Sequence, residues 1–143
     1  MSTIKSSYLG NLRTQATHVL SGNALLTDAP LDNNGKGEAF SPTDLVATAL
    51  ASCLITIMGI KARDLEVDIE GTKAEVKKIM GTNPRRIVEI KIAVSLPNAF
   101  DEKTQKILKD QIKDTDGSVV WANDNKTVFY VKKDPQTLRE FQV

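Results

Sequence analysis

The sequence holds little of what redox, metal and nucleic-acid chemistry usually relies on. Across 143 residues there is one cysteine, Cys53, and one histidine, His18. A single cysteine excludes a disulfide within the chain. One cysteine and one histidine cannot build a cysteine/histidine zinc site, so no metal and no cofactor is expected. Aromatic residues are only 5%, and no basic, aromatic-interleaved segment offers a surface for stacking bases. The net charge is +1, so no strong field points to nucleic acid or an anionic membrane. The opening Met1-Ser2-Thr3-Ile4-Lys5 has no apolar core of a signal peptide. With a lone cysteine, a reducing cytoplasm is the expected setting.

What is present is ordinary for a globular protein: 41% hydrophobic and 26% charged residues. The length fits one domain with a real core, so residues 1–143 read as a single domain. The rest of the chain is organised around residues 40–60, Phe40-Ser41-Pro42-Thr43-Asp44 followed by a long apolar run. Ser41 suits an N-cap and Pro42 the first helical position. Asp44 stands three residues after Ser41, as in a capping box, where it also complements the helix dipole. From Leu45 on, the helix is apolar on nearly every face, whereas a surface helix shows one stripe. Thr48, Ser52 and Thr56 interrupt the run, which falls short of the roughly 18–20 apolar residues of a membrane span. It reads as a soluble helix buried in a core or between subunits. A sheet on one side does not cover such a helix in a chain of this size, so a homodimer with the helix near its interface is expected.

Residues 3–28 read as short strands broken by turns at Gly10-Asn11 and Ser21-Gly22-Asn23. Arg13 and His18 share the second strand and, five positions apart, point to opposite faces. Residues 28–39 form a polar, glycine-rich loop leading to the helix cap. Residues 67–79 read as one strand or a bent pair with Gly71 as a bulge or turn, and Gly81-Thr82-Asn83-Pro84 as a turn. Residues 87–96 are the clearest strand, with Val88, Ile90, Ile92, Val94 and Leu96 on one face at period two. Residues 101–114 have the pattern of an amphipathic helix. A turn at 114–117, an extended segment at 119–121, a turn at 122–125 and a last strand at 127–131 follow. Asp134-Pro135 suits the cap of a short final helix. Strands, a buried helix, more strands, a helix and a final strand imply an α+β fold of antiparallel strands around the central helix.

Candidate chemistry centres on Cys53, because a thiol reacts as its thiolate. Cys53 lies about three turns into its helix, beyond the reach of the dipole. Ala49, Leu50, Thr56 and Ile57, one turn away, bring no cation. On these grounds alone it is an inert, buried cysteine. Reactivity requires an arginine from elsewhere, either Arg13 or the pair Arg85-Arg86, each of which otherwise reads as solvated. His18 has no cysteine, serine or carboxylate at a telling spacing and reads as structural. Asp44 is explained by capping. Glu38 reads as a loop residue just before the cap that could face a cleft.

The run from Gly37 to Cys53, with its Ser-Pro-x-x-Leu-x-x-x-x-Leu-x-x-Cys pattern, resembles the central helix of the OsmC/Ohr family of osmotically inducible and organic hydroperoxide resistance proteins. Weaker likeness lies in Tyr8-Leu9-Gly10-Asn11-Leu12-Arg13 and from Pro84-Arg85-Arg86-Ile87 to the end of the clear strand. The resemblance implies an intertwined α+β homodimer with two sites at its interface. It implies thiol peroxidase chemistry on organic hydroperoxides, with Cys53 at the peroxidatic position and Arg13 as the arginine that holds the thiolate. In such a cycle a second thiol resolves the sulfenic acid and protects it from overoxidation.

Two departures bear on activity. Where the family carries its second cysteine, this chain reads Asp114-Thr115-Asp116-Gly117-Ser118-Val119-Val120-Trp121. The carboxylate that active hydroperoxide resistance members carry ten residues before the first cysteine falls on Thr43, one position from Asp44. The expectation is therefore a stress-related member, degenerate, with weak or no hydroperoxide reductase activity. One alternative is a one-cysteine thiol peroxidase recycled by an external thiol. Another is a dimer that binds a small apolar ligand.

Overall fold

Short strands separated by turn residues open the chain, and each turn is where the sequence placed it. A computed structural model describes residues 2–113, 118–121 and 127–133. Strands β1 (Ile4–Gly10), β2 (Arg13–His18) and β3 (Ala24–Asp28) form an antiparallel meander in that order. Between Gly10 and Arg13 the chain reverses through Asn11 and Leu12, at φ 51° and 61°. Two successive positive φ values are what the right-handed twist of a two-residue hairpin asks for. Asparagine accepts that geometry readily, and leucine does so at a steric cost. The chain divides into two compact units, Met1–Val46 and Ala47–Val143.

The first unit contains the meander, a single 3-10 turn (Leu31–Asn33) and the start of helix α1 (Pro42–Asp64). The capping box forms as the sequence predicts. The Ser41 N–H donates to Asp44 Oδ2 at 2.8 Å, and the Asp44 N–H donates to Ser41 Oγ at 3.1 Å. Among the described residues of this unit the buried side chains are polar: Thr27, Asp28 and Ser41. Its large apolar side chains, including Ile4, Tyr8, Leu9, Leu20, Leu31 and Phe40, are exposed on the single chain.

In the second unit, β4 (Lys73–Gly81), β5 (Arg86–Ser95), β6 (Ser118–Trp121) and β7 (Thr127–Lys133) form an antiparallel sheet in the order β4-β5-β7-β6. Helix α2 (Glu102–Lys113) lies between β5 and β6 in the chain. The core joins Ile87, Ile90, Ile92, Val94 and Leu96, Leu108 of α2, and Ala47, Ala51, Leu54, Met58 and Ala62 of α1. Two antiparallel sheets and two segregated helices make the fold α+β, as expected.

The structure corrects two details. First, alternation along β5 does not run through Val88. Ile79 pairs with Glu89 and Met80 with Ile87, so Val88 is the extra residue of a bulge. The face switches there, and Ile87 is buried in place of Val88. Gly81 accommodates the bulge: a Cβ on it would lie 2.6 Å from Val88 Cγ1. Second, residues 67–72 are not strand. β4 starts at Lys73, after a turn through Gly71 at φ 86°. On the single chain α1 is covered along one side only, which leaves the expected burial between subunits untouched. One stripe, Ala47, Ala51, Leu54, Met58 and Ala62, is buried within the chain. Residues such as Val46, Ala49, Cys53 and Ile60 are exposed. By length and composition alone α1 is long and apolar enough to cross a membrane, which the sequence expectation denied it. The turns at 114–117 and 122–125 and the final helix after Asp134 lie outside the described residues.

Candidate functional site

Arg13 opens β2 and Asp28 closes β3, and the register of the two strands makes them direct cross-strand partners. Paired residues of an antiparallel ladder project from the same face, close enough for their side chains to meet. Arg13 donates from Nε to Asp28 Oδ1 and from Nη2 to Asp28 Oδ2, both at 2.7 Å. The same Nη2 donates to Glu38 Oε2, also at 2.7 Å. Asp28 Oδ2 further accepts the backbone N–H of Glu38 at 3.0 Å. One arginine and two carboxylates therefore form a closed clasp.

The clasp is graded in exposure. The Asp28 side chain is 3% exposed, that of Arg13 31% and that of Glu38 59%. A nearly buried carboxylate is tolerated when its oxygens are bonded, as these are. The bonds from Arg13 hold Asp28 below the usual carboxylate range against the opposing effect of burial, and the Glu38 N–H adds to them. Asp28 and then Glu38 push the guanidinium above its already high range. Arg13 stays charged, and two negative groups offset its charge.

The loop between Asp28 and the helix cap is tied by its backbone to the same place. The Asp28 N–H donates to the Phe40 carbonyl at 3.0 Å, and the Gly37 N–H to the Ala29 carbonyl at 3.2 Å. The Gly35 N–H donates to the Pro30 carbonyl at 3.0 Å. A Cβ on Gly35 would fall 1.7 Å from the Ala29 carbonyl oxygen, so this position admits only glycine.

Cys53 lies on α1 within the second unit and is a free, exposed thiol. On the single chain Cys53 is exposed because α1 turns its other side to the core. At 3.6 residues per turn Cys53 sits about 140° round the helix from the buried stripe. An open depression of about 440 Å³ lies towards the end of α1, lined by Gly59, Ala62, Arg63, Glu66, Val67 and Ile69 among others, and Cys53 is not part of it.

The remaining candidates take structural places. His18 Nδ1 is 2.8 Å from Ser21 Oγ in the β2–β3 turn. Arg86 donates from Nη1 to the Pro84 and Thr82 carbonyls at 3.1 and 3.3 Å. Thr43 Oγ1 is 3.0 Å from Ser41 Oγ at the cap. Sequence reasoning missed Asp28. Its signal is an acid that lands opposite Arg13 only once the β2–β3 register is fixed, with Thr14 opposite Thr27 as the next pair.

Comparison with known proteins agrees with this architecture. Residues 35–115 match the family of OsmC-like proteins. Residues 98–143 also match the N-terminal β-propeller domain of prolyl oligopeptidase. That stretch is under half of the chain and includes helix α2, so it shows no family. A crystal structure of an osmotic stress induced and detoxification response protein from Psychrobacter arcticus 273-4 is 58% identical, with a TM-score of 0.76. The match covers 78% of this chain and 82% of that one. An organic hydroperoxide resistance protein OsmC from Legionella pneumophila is 15% identical with a TM-score of 0.55, over 80% of this chain and 85% of that one. At that identity the likeness is one of fold. No curated protein matches the chain.

Proposed function

The chain belongs to the OsmC family, and from that premise we propose that it is a stress-related detoxification protein with weak or no turnover of organic hydroperoxides. The observation that carries this is the state of Arg13. A thiolate is held by a neighbouring cation, and the charge of this guanidinium is already offset by Asp28, through two bonds of 2.7 Å, and by Glu38, through a third. The 143 residues also hold no second cysteine to resolve a sulfenic acid. The name and identity of the Psychrobacter relative support the stress and detoxification part of the reading.

The working form is a homodimer. Among the described residues the first unit buries no apolar side chain, and α1 exposes Val46 and Ile60. Large apolar side chains left exposed on a single chain call for a contact that covers them, and a second copy is the partner that symmetry supplies most simply.

One observation favours a second reading, a one-cysteine thiol peroxidase. Cys53 is exposed on the single chain rather than sealed among aliphatic side chains. In that reading Cys53 attacks the peroxide, Arg13 is its electrostatic partner, and an external thiol reduces the sulfenic acid. Steady-state consumption of cumene hydroperoxide with dithiothreitol as reductant separates the two. Consumption no greater than that of a Cys53→Ser variant supports the first reading. Rapid turnover that depends on Cys53 overturns it in favour of the second.

A further inference from the structure

We propose that Arg13 is an anion site whose resting occupant is the Glu38 carboxylate, and that a monoanionic organic carboxylate can take Glu38's place. The clasp is asymmetric in a way that structural stabilisation does not require. Asp28 is the anchor: it is nearly buried, grips Arg13 through two parallel bonds and aims the guanidinium. A bidentate arginine–carboxylate pair fixes geometry as well as charge. Glu38 is different. It touches Arg13 through one oxygen at Nη2, and its side chain is 59% exposed. Exposed ion pairs of this sort contribute little net stability, so of the three bonds to Arg13 this is the one that another anion can contest.

The main chain is built for that exchange. The Glu38 N–H is held by Asp28 Oδ2, and the flanking Gly37 N–H by the Ala29 carbonyl. The backbone of residue 38 therefore stays in place while its side chain swings into solvent. The ligand class follows from charge. Arg13, Asp28 and Glu38 together carry one positive and two negative charges; with a monoanion in place of Glu38 the guanidinium still faces two negative charges, while the released Glu38 carries its own charge into solvent. A dianion would add a charge close to Asp28, which is already committed to the same guanidinium. A planar carboxylate reproduces what Glu38 presents, so the fit is to a carboxylate rather than to phosphate.

The test titrates isotopically labelled, full-length protein with sodium acetate, holding ionic strength constant with sodium chloride, and follows the Arg13 Nε–Hε and Glu38 side-chain carboxyl resonances by NMR. The expected result is saturable movement of both signals, with half-saturation at least fivefold lower for the Arg13 signal in Glu38→Gln, which removes the internal competitor. Inorganic phosphate at pH 7.5 is expected to bind at least threefold more weakly than acetate. A linear response indistinguishable from that to chloride overturns the proposal. So does equal half-saturation in wild type and Glu38→Gln, or tighter binding of phosphate. Glu38 is exposed, so its substitution leaves the fold in place. The readout does not involve Cys53, so the outcome stands apart from that of the thiol assay.

Discussion

Asp28 and Arg13 face each other across β2 and β3 with two bonds of 2.7 Å, and the carboxylate is 3% exposed while the guanidinium is 31% exposed. The pair joins two strands, and through the Glu38 N–H it also fixes the loop that feeds α1. Among its described residues the first unit buries no apolar side chain, so this polar contact stands where a core would.

Acid should weaken the protein through Asp28. Its folded pKa lies below the usual carboxylate value. Such a group binds protons more tightly in the unfolded chain. Its contribution is full above the unfolded value and is lost as pH falls through the folded one. In urea titrations Asp28→Asn should lower the unfolding midpoint at pH 7. The gap to wild type should narrow as pH drops below about 4, the ordinary carboxylate value. A gap that is constant between pH 7 and pH 3 contradicts the assignment.

Ser41→Ala removes the acceptor for the Asp44 N–H at a side chain that is nearly buried. Loss of an N-cap serine costs about 1 kcal/mol. The expected result is a reduced urea midpoint with an unchanged slope. No change in midpoint would mean that the box does not secure the start of α1.

Leu12 is the strained member of the β1–β2 turn at φ 61°, and its side chain is about half exposed. Glycine adopts that conformation without the Cβ penalty, at some cost in unfolded-state entropy. Leu12→Gly should stabilise the protein by about 0.5 kcal/mol or more, read from the urea midpoint. Destabilisation would show that the leucine side chain has a packing partner that outweighs the strain.

The dimer is testable apart from the chemistry. Sedimentation equilibrium of wild type should give the mass of two chains. Ile60→Asp, which charges the exposed face of α1, should raise the dissociation constant at least tenfold. A monomeric wild type at micromolar concentration would contradict the homodimer.

The cap of α1 was legible because it depends on residues three apart in sequence, Ser41 and Asp44. The inner face of β5 was legible from Ile90 to Leu96 because alternation is local. It failed at Val88 because a bulge depends on the neighbouring strand and on Gly81, whose missing side chain makes room. Which side of α1 its own chain covers was not legible for a related reason. Composition reports that a helix is apolar on all sides, but not which side its own chain covers. Cys53 therefore emerged exposed. Asp28 was invisible because its role requires the register Arg13 to Asp28, and the turn residues did not fix that register. Arg13 itself could be picked out as a candidate, but not its two carboxylate partners.

The central claim is that Arg13, anchored to Asp28 and with its charge offset by Glu38, does not activate Cys53. The most direct measurement is the rate at which cumene hydroperoxide converts Cys53 to sulfenic acid, trapped with dimedone and counted by intact mass. The account predicts a second-order rate constant within about tenfold of that of a free, unactivated thiol under the same conditions. A rate a hundredfold or more above that reference, lost in Cys53→Ser and in Arg13→Gln, would contradict it and establish the one-cysteine peroxidase.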